Sequence, residues 1–357
     1  MIPHPTFPKD NARNKRDNTI DILKGICIIL VVYGHMARGL IDSGVSNHKI
    51  LLTEIDFVLY TSHMPVFFLI AGYNTEYSIR KHHAYNFLRS RLWAVIYPYF
   101  LWSTILWLTK SVSSLFFSIN HPIQIIEILD IFWNPISIFW FLYALFFLQS
   151  FSTLFRNAGV LLLTISFLLL TIFFIFNPNL PRIINLIVAH SPFFAIGFLA
   201  SQLGKPLIIK ELSYPMPMFL LFILFTIGCY EAITCGLPTP VGLATLPLSI
   251  TGIALLIGIS QACPTAFLRD HIRFLGVLSL PIYILHVYFL PIVPRILSKL
   301  HVHSDIIAVI AGTGLGVYGS VLAYILIKRL NLDGWCALSG KPPLERSQES
   351  PEQIQRA

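Results

Sequence analysis

The stretch from Ile20 to Gly39 constrains the fold of this chain more than any other part of its sequence. It is apolar over about 20 residues, the length that an α-helix needs to cross the hydrocarbon core of a bilayer. It nevertheless contains Asp21, Lys24 and His35. Ionisable groups within a spanning helix cost free energy unless they face a polar cavity or a partner. The stretch is therefore predicted to be a membrane span whose polar side faces the inside of a helix bundle.

The composition and the remaining apolar runs indicate an integral membrane protein. Of the 357 residues, 55% are hydrophobic and 12% are charged, whereas charged residues make up about 25% of a soluble domain. We predict an all-α membrane protein with about ten transmembrane helices. The predicted spans lie at about 19–39, 55–79, 92–109, 136–155, 160–176, 183–203, 215–234, 241–261, 274–295 and 305–327.

The polar ends of the sequence frame one membrane domain. Residues 1–18 are expected to form a disordered basic arm, residues 19–330 a single transmembrane domain, and residues 331–357 a polar cytoplasmic tail. The first span is expected to remain uncleaved, because it carries charge and no small-residue cleavage pattern follows it. Most Lys and Arg residues fall on the side of the N-terminus, and only a few, such as Arg38, fall on the other. This bias predicts that both termini are cytoplasmic.

Charge and cysteine usage argue against two other classes of site. The net charge of +8 is spread over loop ends and tails, so nucleic-acid binding has little support. The five cysteines form no CxxC pair and no metal-ligand spacing. We therefore expect free thiols, no metal site and no tightly bound cofactor.

Lys24 and His35 are eleven residues apart, which places them on one face of a helix and about 16 Å apart along its axis. Asp21 shares that face and can pair with Lys24. Asp21 and Lys24 can also simply extend to the membrane surface at a helix end, and His35 can serve as a hydrogen-bonding group between helices. We favour a polar stripe that lines a passage, with Lys24 near the cytoplasmic face and His35 in the outer half.

Other spans carry ionisable side chains at a similar depth. The second span runs opposite to the first, so His63 is predicted to lie level with His35, where the two imidazoles can meet. Glu231 and His286 add further ionisable groups to the middle and outer part of the bundle. Each alone is explained by a structural hydrogen bond. Together they indicate a polar cavity that opens outward.

Arg89 and Arg91 lie at the cytoplasmic start of the third span. Arginines suit bidentate contacts with phosphate groups, and they also anchor helices in anionic lipid. Both interpretations stay open at this point.

Five ordered motifs carry a resemblance to a known family, and they extend from about residue 16 to residue 330. On these motifs the chain resembles the acyltransferase-3 family of membrane acyltransferases, in particular its compact branch of bacterial fucose and surface-polysaccharide O-acetylases. The motifs are Arg16…Asp21-Ile-Leu-Lys24-Gly25…Gly34-His35, then His63-Met-Pro-Val-Phe-Phe-Leu-Ile-Ala-Gly72-Tyr73, then Arg89 and Arg91 before Tyr97-Pro98-Tyr99, then Trp140-Phe-Leu-Tyr143, and Ser279-Leu-Pro-Ile-Tyr283-Ile-Leu-His286.

The resemblance implies transfer of an acetyl group from cytoplasmic acetyl-CoA to a hydroxyl of an extracytoplasmic glycan, in the bacterial inner membrane. An O-antigen sugar of lipopolysaccharide is the first expectation for the acceptor. The family's pattern of a basic residue, ten residues and a histidine maps onto Lys24 and His35, with Lys where many members have Arg. Its paired arginines map onto Arg89 and Arg91, which are spaced by one residue here rather than two, so Arg91 is the safer match.

The resemblance also implies roles for the individual side chains. His35 is expected to act as the base, since an imidazole titrates near neutral pH, and a covalent acetyl-imidazole is the lesser alternative. Asp21 is expected to hold Lys24, and His63 to orient or relay. The residues expected at the coenzyme are Lys24, Arg89, Arg91, Trp140 and Tyr143, and those expected at the acceptor are His63, Glu231, Tyr283 and His286.

Two other function classes stay open from the sequence. Many spans with an ionisable stripe also suit a transporter or flippase for a lipid-linked sugar or small amphiphile, and a non-catalytic scaffold in a polysaccharide assembly complex is a third hypothesis. Membrane lipids are the expected surroundings. Association with a second copy of the chain stays open.

Overall fold

The described part of the chain is a bundle of α-helices. A computed structural model describes residues 14–44, 46–116, 125–302 and 304–338, and these ranges contain no β-strand. The predicted all-α membrane fold is confirmed. Most of the predicted N-terminal arm, residues 1–13, and most of the predicted tail, residues 339–357, lie outside the described residues.

Thirteen α-helices, numbered in chain order, make up most of these ranges. A π-helical turn joins α3 to α4 at Leu92–Ile96, and short 3-10 segments at Ile125–Phe132 and Ser137–Phe139 precede α5. The helices are α1 (Asn14–Asp42), α2 (Lys49–Lys81), α3 (Ala84–Arg91), α4 (Tyr97–Phe116), α5 (Trp140–Ser152), α6 (Gly159–Phe176), α7 (Arg182–Gln202), α8 (Pro215–Thr234), α9 (Leu246–Gln261), α10 (Ala266–Val277), α11 (Ser279–Phe289), α12 (Ile292–Lys299) and α13 (Asp305–Arg329).

Nine helical stretches in the described ranges are long and apolar enough to cross a membrane. The remaining predicted span, 241–261, forms the shorter helix α9 of 16 residues. Helix α9 begins at Leu246, with Pro247 in its first turn, a position where proline needs no backbone hydrogen bond. The predicted break between the fourth and fifth spans is present, and the backbone N–H of Gly159 at the start of α6 donates to Gln202 Oε1 at 2.8 Å.

The α2–α7 pair forms the most extensive helix–helix contact in the bundle. Two glycines allow the backbones to approach closely. A Cβ at Gly72 would collide with the carbonyl oxygen of Phe194, and a Cβ at Gly197 would collide with that of Leu69. Small residues at such contacts are typical of membrane helices, where van der Waals contact between backbones drives association. The contact therefore fixes the rotation of α2, whose His63 faces the interior with 1% of its surface exposed.

Helix α1 lies inside the bundle and contacts α2, α10, α11 and α13. Its N-terminal half meets α10 through a second pair of glycines. A Cβ at Gly25 would collide with the carbonyl oxygen of Ile272, and a Cβ at Gly276 with that of Asp21. This contact holds α10 beside the end of α1 that carries Asp21 and Lys24, called the Asp21 end below.

The opposite end of α1, called the Arg38 end, lies beside the starts of α2 and α13. Arg38 Nε lies 3.4 Å from Asp56 Oδ2 on α2. Asp305, at the start of α13, accepts hydrogen bonds from Ser46 Oγ at 2.9 Å and from the backbone N–H of His48 at 2.8 Å. Helix α2 therefore runs antiparallel to α1, so its C-terminus and the following α3 lie at the Asp21 end.

Residues 331–338, the start of the predicted tail, fold back onto α4 and the π-helical turn before it. The Tyr97 hydroxyl donates to the carbonyl oxygen of Trp335 at 2.8 Å, and Trp102 Nε1 donates to that of Cys336 at 2.8 Å. Asp333 is fully buried. The chain after α13 is thus part of the bundle as far as the structure describes it.

Candidate functional site

A small cavity lies between α1, α2, α5 and α11 in the half of the bundle near the Arg38 end. Its volume is about 10 Å³, roughly the space of one water molecule. Four apolar side chains complete its wall. The side chains with a polar atom that line it are His35, Arg38, Tyr60, His63, Trp140 and Tyr283.

His35 contributes to this cavity from α1, and its ring also contacts that of His286 on α11, with 5.2 Å between ring centroids. Val31, one turn before His35, lines the cavity as well. The cavity therefore follows α1 for one turn toward the Asp21 end. Beyond Val31, Cys27 and Ile28 of α1 are both buried, and neither lines the cavity.

His63 and His286 are buried and are held in the same way. His63 Nδ1 lies 2.6 Å from the carbonyl oxygen of Leu59, and His286 Nδ1 lies 3.0 Å from that of Ile282. A carbonyl oxygen only accepts hydrogen bonds, so Nδ1 carries the proton in each ring. In the neutral ring, Nε2 is then an acceptor. Both Nε2 atoms are buried without a hydrogen-bond partner in the described residues, so His63 can accept a hydrogen bond from a hydroxyl in the cavity.

His190 on α7 is a third buried histidine of this kind, and sequence analysis missed it. Its Nδ1 lies 2.8 Å from the carbonyl oxygen of Leu186, and its ring stacks near Trp140 at 5.3 Å and Phe68 at 4.7 Å. Its position midway along an apolar span was the signal that could have found it. Within the described ranges, no three His, Cys, Asp or Glu side chains are grouped so that they could hold a metal ion.

Arg38, Asp56 and Tyr60 form a second group that sequence analysis did not assign to the site. Arg38 Nε donates to the carbonyl oxygen of Gly34 at 3.0 Å and pairs with Asp56 Oδ2. The guanidinium carbon lies 5.4 Å from the centroid of the Tyr60 ring. The signal was the position of Arg38 three residues after His35, since residues three apart share a helix face. The sequence-based prediction used Arg38 only as a charge that indicates topology.

The aromatic residues predicted at the coenzyme separate into two environments. Trp140 lines the cavity, and its ring contacts the rings of His190 and Phe68. Tyr143 does not line it. The Tyr143 hydroxyl donates to the carbonyl oxygen of Phe132 at 2.9 Å, so this side chain braces the 3-10 segment before α5. Tyr283, predicted at the acceptor, does line the cavity, and its hydroxyl donates to the carbonyl oxygen of Ile138.

Asp21 and Lys24 form the ion pair predicted for them, with 2.6 Å between Lys24 Nζ and Asp21 Oδ1. Their side chains are 21% and 27% exposed, so the pair borders the protein surface rather than the sealed interior. Lys24 is seven residues before Val31, or about 10 Å along the helix axis. The cavity does not reach the pair.

The structure leaves three further predicted site residues at the surface. On α3, Arg89 is exposed, and Arg91 is partly buried with its guanidinium carbon 5.1 Å from the centroid of the Phe87 ring. Both arginines lie at the Asp21 end. Glu231 is exposed on α8, a peripheral helix whose buried residues are Cys229 and Ala232. The structure does not bring Glu231 to the cavity.

Comparison with known proteins gives one family and two similar proteins. The family model for an acyltransferase domain matches residues 17–325. Nodulation protein NolL of Mesorhizobium japonicum is 28% identical over 194 residues, which are 53% of this chain and 49% of that protein. Nodulation protein NolL of Sinorhizobium fredii is 28% identical over 189 residues, with 53% and 50% covered. The chain thus spans about half the length of the curated relatives it matches. No solved structure matches it.

Proposed function

Because the chain belongs to the acyltransferase-3 family of membrane acyltransferases, we propose that it moves an acetyl group from cytoplasmic acetyl-CoA to a hydroxyl of an extracytoplasmic surface glycan. The acceptor in this proposal is a sugar of O-antigen or another part of lipopolysaccharide, and the protein works in the bacterial inner membrane. Acetyl-CoA is a co-substrate, and the glycan and the membrane lipids are its other partners.

The observation that supports this reaction most directly is that His35 and His63 line one cavity inside a bundle of membrane helices. A sugar hydroxyl is a poor nucleophile at neutral pH and needs a base within hydrogen-bond reach. A neutral imidazole can take up that proton at its unprotonated ring nitrogen. His35 is the base in this proposal, and His63 Nε2 accepts a hydrogen bond from an adjacent hydroxyl of the sugar, which orients the acceptor.

The proposed transfer proceeds by direct attack. The acceptor oxygen attacks the carbonyl carbon of the thioester, a carbon–oxygen bond forms, and the hydroxyl proton moves to His35. The carbonyl electrons move to its oxygen and return when the carbon–sulfur bond breaks. The thiolate of coenzyme A then takes the proton from His35, so the imidazole is regenerated in each cycle.

The other end of α1 provides a place for the coenzyme. Lys24, Arg89 and Arg91 are basic side chains at the Asp21 end, and guanidinium groups bind phosphates well. The helix rise places Lys24 about 16 Å from His35, a distance that the extended pantetheine arm can cover. Between Lys24 and Val31, Cys27 and Ile28 are buried and do not line the cavity, so in this proposal acetyl-CoA binding opens a path along this part of α1. Closure and opening steps of this kind are common in enzymes that exclude water.

Reconstitution of the purified protein in lipid nanodiscs tests the proposal. The substrates are acetyl-CoA with a labelled acetyl group and surface polysaccharide from a strain that lacks this protein. We expect label on the polysaccharide and release of coenzyme A that depends on the polysaccharide. Movement of a lipid-linked sugar across the bilayer without any labelled product would instead favour the transporter hypothesis. A mass spectrum of polysaccharide from the deletion strain, compared with its parent, identifies the acyl group and its carrier.

A further inference from the structure

The guanidinium of Arg38 is held at the wall of the cavity that His35 and His63 line. Its contacts with the Gly34 carbonyl oxygen and with Asp56 Oδ2 both use Nε. A guanidinium has five N–H donors in a planar fork. Among the described residues these two contacts use only the Nε–H, and the Arg38 side chain is 35% exposed. Its terminal nitrogens can therefore donate to a ligand that occupies the cavity.

Gly34 makes this arrangement sterically possible. A Cβ at position 34 would lie 2.6 Å from Asp56 Oδ1 and 3.1 Å from the nearer terminal nitrogen of Arg38. Any larger residue before His35 would therefore push the Asp56 carboxylate and the guanidinium apart. Glycine at position 34 thus leaves room for Arg38 to take this position and to pair with Asp56 of α2.

The ion pair with Arg38 leaves one oxygen of the Asp56 carboxylate without a hydrogen bond. Its Oδ2 pairs with Arg38, whereas its Oδ1 is buried and has no hydrogen-bond partner in the described part of the chain. A carboxylate oxygen that is buried without a donor costs free energy. The pair therefore holds the guanidinium in place at a cost in folding free energy. This arrangement is more typical of functional sites than of stabilising surface ion pairs.

We propose that Arg38 is a catalytic residue that stabilises the oxyanion of the acyl-transfer reaction, and that Asp56 is the positioning residue that aims it. This inference rests on the proposed function. Negative charge develops on the carbonyl oxygen as the acceptor oxygen attacks the carbon and the hydroxyl proton moves to His35. The terminal N–H groups of Arg38 donate to that oxygen until the carbon–sulfur bond breaks. Fixed donors aimed at the oxygen where charge develops stabilise the transition state of such reactions.

The geometry favours this role over a purely structural one. Arg38 follows His35 by three residues on α1, so the base and the positive charge lie on the same helix face and border the same space. In the proposed reaction a proton moves to His35 while negative charge develops on the carbonyl oxygen. The base and the guanidinium must therefore border the same small cavity. The Tyr60 ring, 5.4 Å from the guanidinium carbon, limits the motion of the guanidinium further.

Steady-state kinetics of R38Q, R38K and D56N test the proposal, with acetyl-CoA and polysaccharide from the deletion strain as substrates. Removal of one oxyanion donor typically lowers kcat by about 10²–10³-fold, and we expect that loss in R38Q with KM for both substrates within about threefold of wild type. R38K keeps the charge but loses the fork, and we expect it to recover part of kcat. D56N should fall between wild type and R38Q.

Chemical rescue separates catalysis from structure. In R38Q and in a smaller variant, R38A, guanidinium chloride below denaturing concentrations should raise kcat, whereas potassium chloride at the same ionic strength should not. R156Q is the matched control, because Arg156 is an exposed arginine between α5 and α6 that does not line the cavity. Its kcat should stay within about twofold of wild type, since exposed charges act weakly on a site.

The outcomes separate this inference from the function on which it rests. If wild type transfers acetyl and H35A does not, but R38Q and R38A keep wild-type kcat, the role of Arg38 is wrong and the proposed function stands. A rise in KM for polysaccharide at unchanged kcat would also overturn it, since that result assigns Arg38 to acceptor binding. If wild type transfers no acetyl group, the proposed function is wrong, and the oxyanion role of Arg38 that rests on it is wrong as well.

Discussion

The two ends of α1 carry similar residue types in different surroundings. At the Asp21 end, Asp21 and Lys24 form an ion pair within a single turn of one helix, and both side chains are partly exposed. At the Arg38 end, His35 and Arg38 border a cavity to which α2, α5 and α11 also contribute, and Asp56 of α2 holds Arg38. The first pair is local, whereas the second group exists only because several helices meet.

This difference indicates a division of tasks along one helix. A partly exposed basic side chain can bind a charged group that arrives from water, and the binding contributes affinity. The Arg38 side chain is 35% exposed and that of Lys24 is 27% exposed, so exposure does not separate the two ends. What separates them is that Arg38 borders a cavity lined by histidines of two helices, where it can act on a reacting atom. Under the proposed function, changes at the Arg38 end should lower kcat, and changes at the Asp21 end should raise KM for acetyl-CoA.

The largest effect is expected for H35A. Loss of a general base typically lowers the rate by about 10²–10⁴-fold, so kcat for acetyl transfer should fall by that factor while the amount of folded protein is maintained. H82Q is the control, because His82 is exposed in the turn after α2. Polysaccharide acetylated to the normal level by H35A would remove His35 from catalysis.

G34A should give the next largest effect, since the new Cβ would displace the Arg38–Asp56 pair. We expect kcat to fall by about tenfold, which corresponds to about 1.4 kcal/mol in transition-state free energy, with KM for acetyl-CoA unchanged. G39A is a matched control on the same helix, because a Cβ at Gly39 meets nothing within 4 Å. Equal activity in G34A and G39A would show that the position of Arg38 does not matter.

K24Q tests the role of the Asp21 end of α1. Loss of one partly exposed charge should raise KM for acetyl-CoA by about three- to tenfold, the range expected for loss of a charge-assisted contact. The value of kcat at saturation should change less. K299Q, on the exposed end of α12, should leave KM unchanged. A fall in kcat without a change in KM would place Lys24 in the chemical step and contradict the division between the two ends.

E231Q should have the smallest effect. Glu231 is exposed on the peripheral helix α8, and substitutions at exposed positions away from a site usually have little effect. Acetylation rate and KM for polysaccharide are expected to stay within about twofold of wild type. A tenfold rise in KM for polysaccharide would show that the acceptor extends from the cavity to α8, as the sequence-based prediction held.

Sequence analysis predicted the fold class and much of α1 correctly because these depend on local signals. Runs of about 20 apolar residues identify spans. The helix period alone places Asp21 beside Lys24, and their ion pair is present. The antiparallel order of the first two spans was enough to place His63 at the level of His35, and both line one cavity. The shorter α9 was not predicted, although Pro240 and Gly242 before Leu246 are turn-forming residues.

What only the tertiary structure decided is which side of each apolar helix faces the site. In spans that are hydrophobic all round, neither periodicity nor hydropathy indicates rotation about the helix axis. Contacts such as those of Gly72 with Phe194 and of Gly197 with Leu69, between α2 and α7, set that rotation instead. For this reason the sequence by itself determined a membrane bundle with ionisable groups on one face of α1. The helix contacts decided that Arg38 and Asp56 join His35, and that Glu231 does not.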